Sequence, residues 1–214
     1  MRRCPGRSGL LSPCHHYIVR IGKLYLSSGF LLLLSWLLYC DRSGIVLLGI
    51  IACILHEFGH LVTLFFFNST IKEISITISG AKIKFNDHLS YIEELISAAA
   101  GPFVNLSLGW LISYFFSCPI FAGVNLALGC FNLLPVGPLD GARILYCLMS
   151  QFGNETLSYR LCRCVAFSFT SFFSCIGAVI AISGGNLTLL IMCFWLLFGT
   201  LREITANFDQ KEWK

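Results

Sequence analysis

The chain has 214 residues, of which 56% are hydrophobic and only 12% are charged. A soluble globular domain carries about 25% charged residues, so this composition excludes an ordinary water-soluble protein and indicates a polytopic membrane protein. The net charge of +4 is small, and the length fits a single membrane domain without a second globular domain.

Six apolar segments alternate with polar stretches along the chain. Each approaches the length that a tilted helix needs to cross a bilayer, and such segments must be helical because unpaired backbone groups find no water in lipid. The sequence LLYCDRSG at the end of the first segment has no small-x-small cleavage site, so we expect that segment to be an uncleaved anchor. The predicted spans are residues 24–40, 45–67, 92–116, 119–134, 165–182 and 187–201.

The lysines and arginines predict how these spans are oriented. With a cytoplasmic N-terminus and six spans, only Arg42 of the 15 Lys and Arg residues falls in an outer loop. Because positive residues concentrate in cytoplasmic loops, both termini are predicted to be cytoplasmic. The predicted organisation is a cytoplasmic N-terminal segment at 1–23, a membrane domain at 24–202 and a cytoplasmic tail at 203–214.

The second span contains the sequence HEFGH, in which three ionisable side chains interrupt an apolar run. Ionisable groups at bilayer depth are costly and usually have a function. His56 and His60 are four residues apart and share one helix face, so both can bind one zinc ion, while Glu57 lies beside the metal as a general base. The alternative is a pair of histidines that form interhelical hydrogen bonds beside a buried acid.

A stretch with strand periodicity follows the second span. In EISITISGAKIKF, residues 73–85, apolar residues alternate with Ser, Thr and Lys, and Gly80 marks a turn. This pattern predicts a small β-hairpin on the cytoplasmic side, between the second and third spans. Peptide hydrolysis needs an extended substrate, and an exposed hairpin edge could pair with one. The alternative is a purely structural hairpin.

Two histidines leave a catalytic zinc ion one protein ligand short. The candidate lies in NLLPVGPLDGARIL, where Asp140 is one of few acids near a span. The prolines before it break the fourth span, and the freed backbone groups are tolerated only against protein or a wet cavity. The alternative role of Asp140 is the N-cap of a helix over GARILYCLM, and one carboxylate can serve both roles.

Other polar and small residues in the spans have simpler interpretations. Asn105, Asn125 and Asn132 are predicted to form hydrogen bonds between membrane helices. The sequence SAAAG at 97–101 is small enough to let helices approach closely, and packing explains it.

The 11 cysteines lack the spacing of a disulfide framework or a zinc cluster. Most lie in spans or on the reducing side, where cysteine behaves as a small apolar residue. A disulfide between Cys40 and Cys118, both near the outer face, stays open as an alternative.

HEFGH in one span and NxxPxxxxDG in a later one together resemble the site-2 protease family of intramembrane zinc metalloproteases. AAAGPFVN resembles that family's Gly-Pro-x-x-Asn segment, and the six predicted spans are similar to the branch that contains the stage IV sporulation protease. The resemblance implies that His56, His60 and Asp140 bind zinc and that Glu57 is the catalytic acid/base. The residues to which it assigns site-supporting or substrate-binding roles are Asn132, Pro135 and Asn105.

The sequence therefore predicts an all-α polytopic membrane protein with six transmembrane helices and one small β-hairpin. We expect an intramembrane zinc endopeptidase with one Zn²⁺ per chain, which cleaves membrane-embedded or membrane-associated proteins in a bacterial cell membrane. Its expected partners are the bilayer and the protein substrate, without nucleic acid.

Two other functional classes remain as alternatives. A metal or proton transporter could use the intramembrane His and Asp residues, although transporters often carry internal repeats and this sequence has none. An inactive scaffold would be expected to lose Glu57 or Asp140, and both are present.

Overall fold

The computed structural model describes residues 17–21, 24–69, 71–77, 80–85, 89–137, 139–153, 155–184, 190–191 and 193–200. The chain divides into two compact units, Met1–Phe131 and Asn132–Lys214. The predicted cytoplasmic tail at 203–214 lies outside the described residues, and the predicted domain boundaries stay predictions.

Among the described residues, four strands and four helices precede the boundary between the units. In chain order they are β1 (Tyr17–Ile21), β2 (Leu24–Ser27), α1 (Ser28–Cys40), α2 (Ile45–Phe66), β3 (Ile71–Thr77), β4 (Gly80–Phe85), α3 (Tyr91–Phe115) and α4 (Pro119–Asn132). The second unit contains α5 (Asp140–Phe152) and α6 (Glu155–Ile182), and residues 193–200 are also helical.

Three described helices are long and apolar enough to cross a membrane, namely α2, α3 and residues Thr156–Ile182 of α6. Helices α1 and α4 are apolar but shorter. The predicted count of six spans and their orientation stay predictions. A topology reporter inserted at Gly184 checks them, since a cytoplasmic signal there would contradict the map.

The distribution of side chains around these helices also fits a membrane protein. Large apolar side chains such as Trp36, Phe65 and Phe103 are exposed, whereas the amides of Asn105 and Asn125 are fully buried. Large apolar surfaces mark contact with another apolar phase, and polar groups in membrane helices face the protein interior. The surfaces of these helices are therefore suited to lipid.

The strands form one sheet in the order β1-β2-β3-β4. β3 pairs antiparallel with β4 and parallel with β2, and β1 pairs antiparallel with β2. The prediction of an all-α protein with a single two-stranded hairpin is therefore wrong in part, since the sheet has four strands. The first helix begins at Ser28 instead of residue 24, because Leu24–Leu26 pair with Ile74–Ile76. Periodicity alone does not tell such a short apolar run from a helix.

The second unit also differs from the predicted spans. Residues 140–164, predicted to be a polar stretch, form α5 and the beginning of α6, which starts at Glu155 instead of residue 165. Charged residues such as Arg160 and Arg163 interrupt the apolar pattern there. An amphipathic helix needs only one apolar face, so a search for continuous apolar runs does not detect it.

The turn between α1 and α2 is held by one carboxylate. Asp41 accepts hydrogen bonds from the backbone N–H of Ser43 at 2.9 Å, of Gly44 at 3.1 Å and of Val46 at 2.8 Å. The hydroxyl of Ser43 also donates to it at 2.7 Å and, with these amides, lowers the pKa of Asp41. Gly44 adopts the left-handed conformation, with φ of 75°. One of the free N–H groups in the first turn of α2, that of Val46, is thus satisfied.

Helix α3 begins with a capping box that sets its first turn. The hydroxyl of Ser90 accepts a hydrogen bond from the backbone N–H of Glu93, whose carboxylate accepts one from the backbone N–H of Ser90 at 2.7 Å.

Small residues bring α2, α3 and α4 close together. A Cβ atom on Gly59 of α2 would lie 2.9 Å from the carbonyl oxygen of Ala100 on α3. A Cβ atom on Gly109 of α3 would lie 2.6 Å from the side chain of Leu126 on α4. Such close approach of helix backbones is typical of membrane helices.

Cys40 and Cys118 are both free thiols, so the disulfide alternative between them is wrong.

Candidate metal centre

His56 and His60 lie one turn apart on the same face of α2, and both side chains are buried. Their Nε2 atoms are 3.1 Å apart, and the two ring planes meet at 80°. Two ligands of a tetrahedral zinc ion, each about 2.05 Å from the metal, lie about 3.3 Å apart. The two nitrogens therefore have nearly the spacing that one zinc ion requires.

The orientation of His60 is set by the backbone of α3. Its Nδ1 lies 2.7 Å from the carbonyl oxygen of Ser97, which can only accept a hydrogen bond. Nδ1 therefore carries the proton, and Nε2 of the neutral ring presents a lone pair toward His56. Histidines that bind metals usually donate their second N–H to a carbonyl or carboxylate in this way.

A stripe of α3 residues at intervals of four faces the histidines. Ser97 and Gly101 lie beside them, and Asn105 continues the stripe one turn further on. Nδ2 of Asn105 donates to the carbonyl oxygen of Ala52 on α2 at 3.4 Å. Asn105 thus forms the predicted hydrogen bond between two helices. Asn125 was predicted to do the same, but its Nδ2 donates to the carbonyl oxygen of Phe121 in its own helix.

Glu57 occupies the position after His56 on α2 and is half-buried. Successive helix residues point about 100° apart, so Glu57 is displaced from the histidine face by that angle.

The two histidine rings pack directly against Gly101 of α3. A Cβ atom on Gly101 would lie 2.7 Å from Nε2 of His56 and nearer still to Nε2 of His60, so only a glycine lets both rings keep their positions. Imidazole nitrogens with one N–H held by a carbonyl are the donor set that zinc prefers. The residues of the first unit therefore fit two ligands of a zinc site.

Asp140 lies in the second unit, at the first residue of α5. Leu139 occupies the N-cap position, so the alternative that Asp140 caps this helix is wrong. The carboxylate of Asp140 is mostly buried and lies 3.6 Å from the guanidinium of Arg143. The next residue is Gly141. A Cβ atom at this position would collide with the backbone carbonyl of Leu133, so the position requires glycine.

Asn132 ends α4, and Pro135 lies in the connection between α4 and α5. That connection is tightly turned, since the N–H of Val136 donates to Leu134 at 2.8 Å and the N–H of Leu139 donates to Val136 at 2.9 Å. Pro135 has no N–H, so it fits a segment that leaves the helical hydrogen-bond pattern. The predicted zinc ligands thus come from both units, two from the first and one from the second.

Two residues at the site were missed by sequence reasoning. Ser97 acts through its backbone carbonyl, which any residue has, so no side-chain pattern identifies it. Gly101 was interpreted as a packing residue of SAAAG. Its spacing of four residues from both Ser97 and Asn105 was the available signal, since it puts all three on one helix face.

Comparison with known proteins relates this chain to a family of peptidases. The model of peptidase family M50 matches residues 113–176, a segment that contains Asn132, Pro135 and Asp140 but not the histidine pair. Stage IV sporulation protein FB of Bacillus subtilis is 29% identical, over 46% of this chain and 38% of its own length. A zinc metalloprotease of Methanocaldococcus jannaschii is 26% identical, over 72% of this chain and 47% of its own length.

A solved structure shares the fold. The site-2 protease from Methanocaldococcus jannaschii superposes with a TM-score of 0.66 at 22% identity, over 88% of this chain and 94% of that one. The chain spans less than half of the length of the two curated relatives that it matches.

Proposed function

We propose that this chain belongs to peptidase family M50, the site-2 protease family, and that it is an intramembrane zinc endopeptidase. The proposal is supported by the match to the model of that family and by the similarity to the two curated relatives and the solved structure. The substrates of this chain are proteins embedded in the membrane or associated with it, and hydrolysis takes place within the membrane domain. One observation carries the proposal. The Nε2 atoms of His56 and His60 meet at 3.1 Å in an apolar helix, with the second nitrogen of His60 held by Ser97.

His56, His60 and Asp140 are the proposed protein ligands, which leaves a fourth position for the reacting groups. When bound, zinc acts as a Lewis acid that polarises the scissile carbonyl and acidifies water. Glu57 takes a proton from the water whose oxygen attacks the carbonyl carbon. It then gives that proton to the amide nitrogen as the C–N bond breaks, which yields a carboxylic acid and an amine.

Asn132, Pro135 and Asn105 are proposed to support this site. Pro135 keeps the chain before Asp140 out of a helix, so that α5 can start at the carboxylate. Asn105 ties α3 to α2 through Ala52, one turn before His56, and so maintains the spacing of the helices around the histidines. Asn132 ends α4 at the segment that leads to Asp140.

The proposal predicts which substrates are cleaved. A peptide bond inside a helix has its carbonyl and amide in intrahelical hydrogen bonds, so the substrate must unwind before hydrolysis. We expect cleavage of a single-span test protein that carries Gly-Pro in the cytoplasmic third of its span, and little cleavage of a matched protein with Leu-Leu there. Reconstituted vesicles with both proteins, analysed by mass spectrometry, measure the difference.

Chelation provides the control for that experiment. A chelator should stop cleavage and added zinc should restore it, because the catalytic ion exchanges with solution. Cleavage that continues undiminished after chelation would contradict a zinc peptidase. Zinc flux across the same vesicles without cleavage would favour the transporter alternative.

The sheet offers an edge at which an unwound substrate can be held. β3 lies between β2 and β4, so it has no free side, and β4 is an edge of the described sheet. Thr77 and Gly80 pair across a two-residue connection, and in such hairpins hydrogen-bonded and non-hydrogen-bonded pairs alternate. The backbone N–H of Lys82 therefore bonds to β3, whereas the backbone N–H of Ile83 points to the open edge. We propose that substrate pairs with β4.

Ile83→Pro tests this role, because it removes one outward N–H while edge strands tolerate proline. We expect cleavage to fall by about five- to tenfold, the effect of one lost hydrogen bond, with zinc content unchanged. Ile83→Val keeps the N–H and should cleave at the wild-type rate. Lys82→Pro removes a bond to β3 and should lower the melting temperature instead. Wild-type cleavage by Ile83→Pro would reject β4 as the substrate edge.

A further inference from the structure

Gly101 of α3 lies directly opposite the two histidines, within the first unit. A Cβ atom there would be nearest to Nε2 of His60, and it would lie 2.6 Å from Cε1 of His60 and 2.7 Å from Nε2 of His56. Side-chain carbons do not approach ring atoms that closely, because repulsion rises steeply below van der Waals contact at about 3.5 Å. A side chain on Gly101 would therefore collide with the two Nε2 atoms that face each other at this site.

A methyl group on Gly101 would push both rings out of their present arrangement. In that arrangement the two Nε2 atoms are 3.1 Å apart, nearly the spacing of two ligands of one zinc ion. We propose that Gly101 is a positioning residue of the metal site, whose lack of a side chain lets both imidazoles hold the arrangement in which they can bind one ion. This inference rests on the proposed function, since it assigns a role within the same zinc site.

Helix α3 cannot withdraw to make room for a larger residue. One turn before Gly101, the carbonyl oxygen of Ser97 is 2.7 Å from Nδ1 of His60, and one turn after it, Asn105 is bonded to Ala52. Beside it, the carbonyl of Ala100 approaches Gly59 so closely that a Cβ atom on Gly59 would lie 2.9 Å away. The two helices are thus held together on both sides of Gly101.

A glycine that serves only helix packing differs from Gly101 in its surroundings. Gly109 lies two turns further along α3, and a Cβ atom there would meet the side chain of Leu126 at 2.6 Å. A leucine side chain can change rotamer to accommodate a methyl group, and the next neighbour, the carbonyl oxygen of Ala122, would lie 3.1 Å away, so Gly109 is a packing residue. The two glycines are therefore a useful comparison, since both are crowded but by different neighbours.

Metal binding by Gly101→Ala and Gly109→Ala tests the proposal. Both proteins, purified in detergent, are equilibrated with buffered zinc and analysed for metal per chain. Gly109→Ala should bind one zinc ion with wild-type affinity. Gly101→Ala should bind up to about 100-fold more weakly, the upper range of the effect of disturbing a residue around a metal ligand. Wild-type affinity in Gly101→Ala would overturn the inference but leave the proposed function intact.

A double variant keeps the inference testable if Gly101→Ala folds poorly. Without zinc, the added methyl group should lower the melting temperature in the wild-type background, because it meets both imidazoles. In a His60→Ala background the loss should be smaller, because the nearest ring is gone and only the contact with Nε2 of His56 remains. Equal losses in both backgrounds would overturn the role of Gly101. A wild-type protein that binds no zinc would contradict the proposed function itself.

Discussion

Glu57→Gln is expected to bind zinc as the wild type does and to lose cleavage by about 10² to 10⁴-fold, the usual contribution of general acid–base assistance. Glutamine keeps the size and polarity of the side chain but cannot take a proton from the attacking water. Glu57 is not among the proposed ligands, so the metal content of the variant should stay near one ion per chain. Metal analysis and a cleavage assay on the same preparation measure both quantities.

Glu94→Gln is the matched control for this variant. Glu94 is also a half-buried acid on an apolar helix, and it lies in the first turn of α3. The same chemical change there should leave both zinc and cleavage near the wild-type values. A Glu57→Gln protein that binds zinc and still cleaves would contradict the mechanism.

His60→Ala and Asp140→Ala are expected to lose zinc and cleavage together. Two remaining ligands hold the ion poorly, so affinity should fall by more than about 100-fold, a larger loss than substitutions around a ligand produce. Zinc binds the folded state, so it should raise the melting temperature of the wild type but not of these variants. Metal analysis, melting curves with and without zinc, and cleavage give three independent measurements.

Two controls separate ligand loss from other effects. Thr63→Ala changes α2 one turn after His60 and removes only a hydroxyl that bonds to the helix backbone, so zinc should be retained. Arg143→Ala removes the partner of the Asp140 carboxylate, 3.6 Å away, but leaves the carboxylate itself. If Asp140 is a ligand, only Asp140→Ala loses zinc. Equal zinc loss in Asp140→Ala and Arg143→Ala would indicate that Asp140 has a structural role in α5 instead.

The helical parts of the fold were predicted where apolar runs are continuous. α2, α3 and α4 have nearly the predicted bounds, because a long apolar segment in lipid can only be helical. The predicted spans left out α5 and the start of α6 because charged residues interrupt the apolar pattern there, and a helix after Asp140 was considered only as the alternative role of that residue. Strand β2 was assigned to the first helix, because its partner β3 lies more than forty residues further along the chain. Pairing between distant segments leaves no local pattern to detect.

The sequence by itself determined the arrangement of the two histidines and the glutamate. An interval of four residues puts His56 and His60 on one face of any helix, whatever packs against it, and the adjacent glutamate follows from the same geometry. Only the tertiary structure decided what surrounds these groups. The carbonyl of Ser97 orients His60, and the missing side chain of Gly101 leaves room for both imidazole rings. Both contacts depend on how closely α3 crosses α2, and that distance is set by packing between segments and not by periodicity within either one.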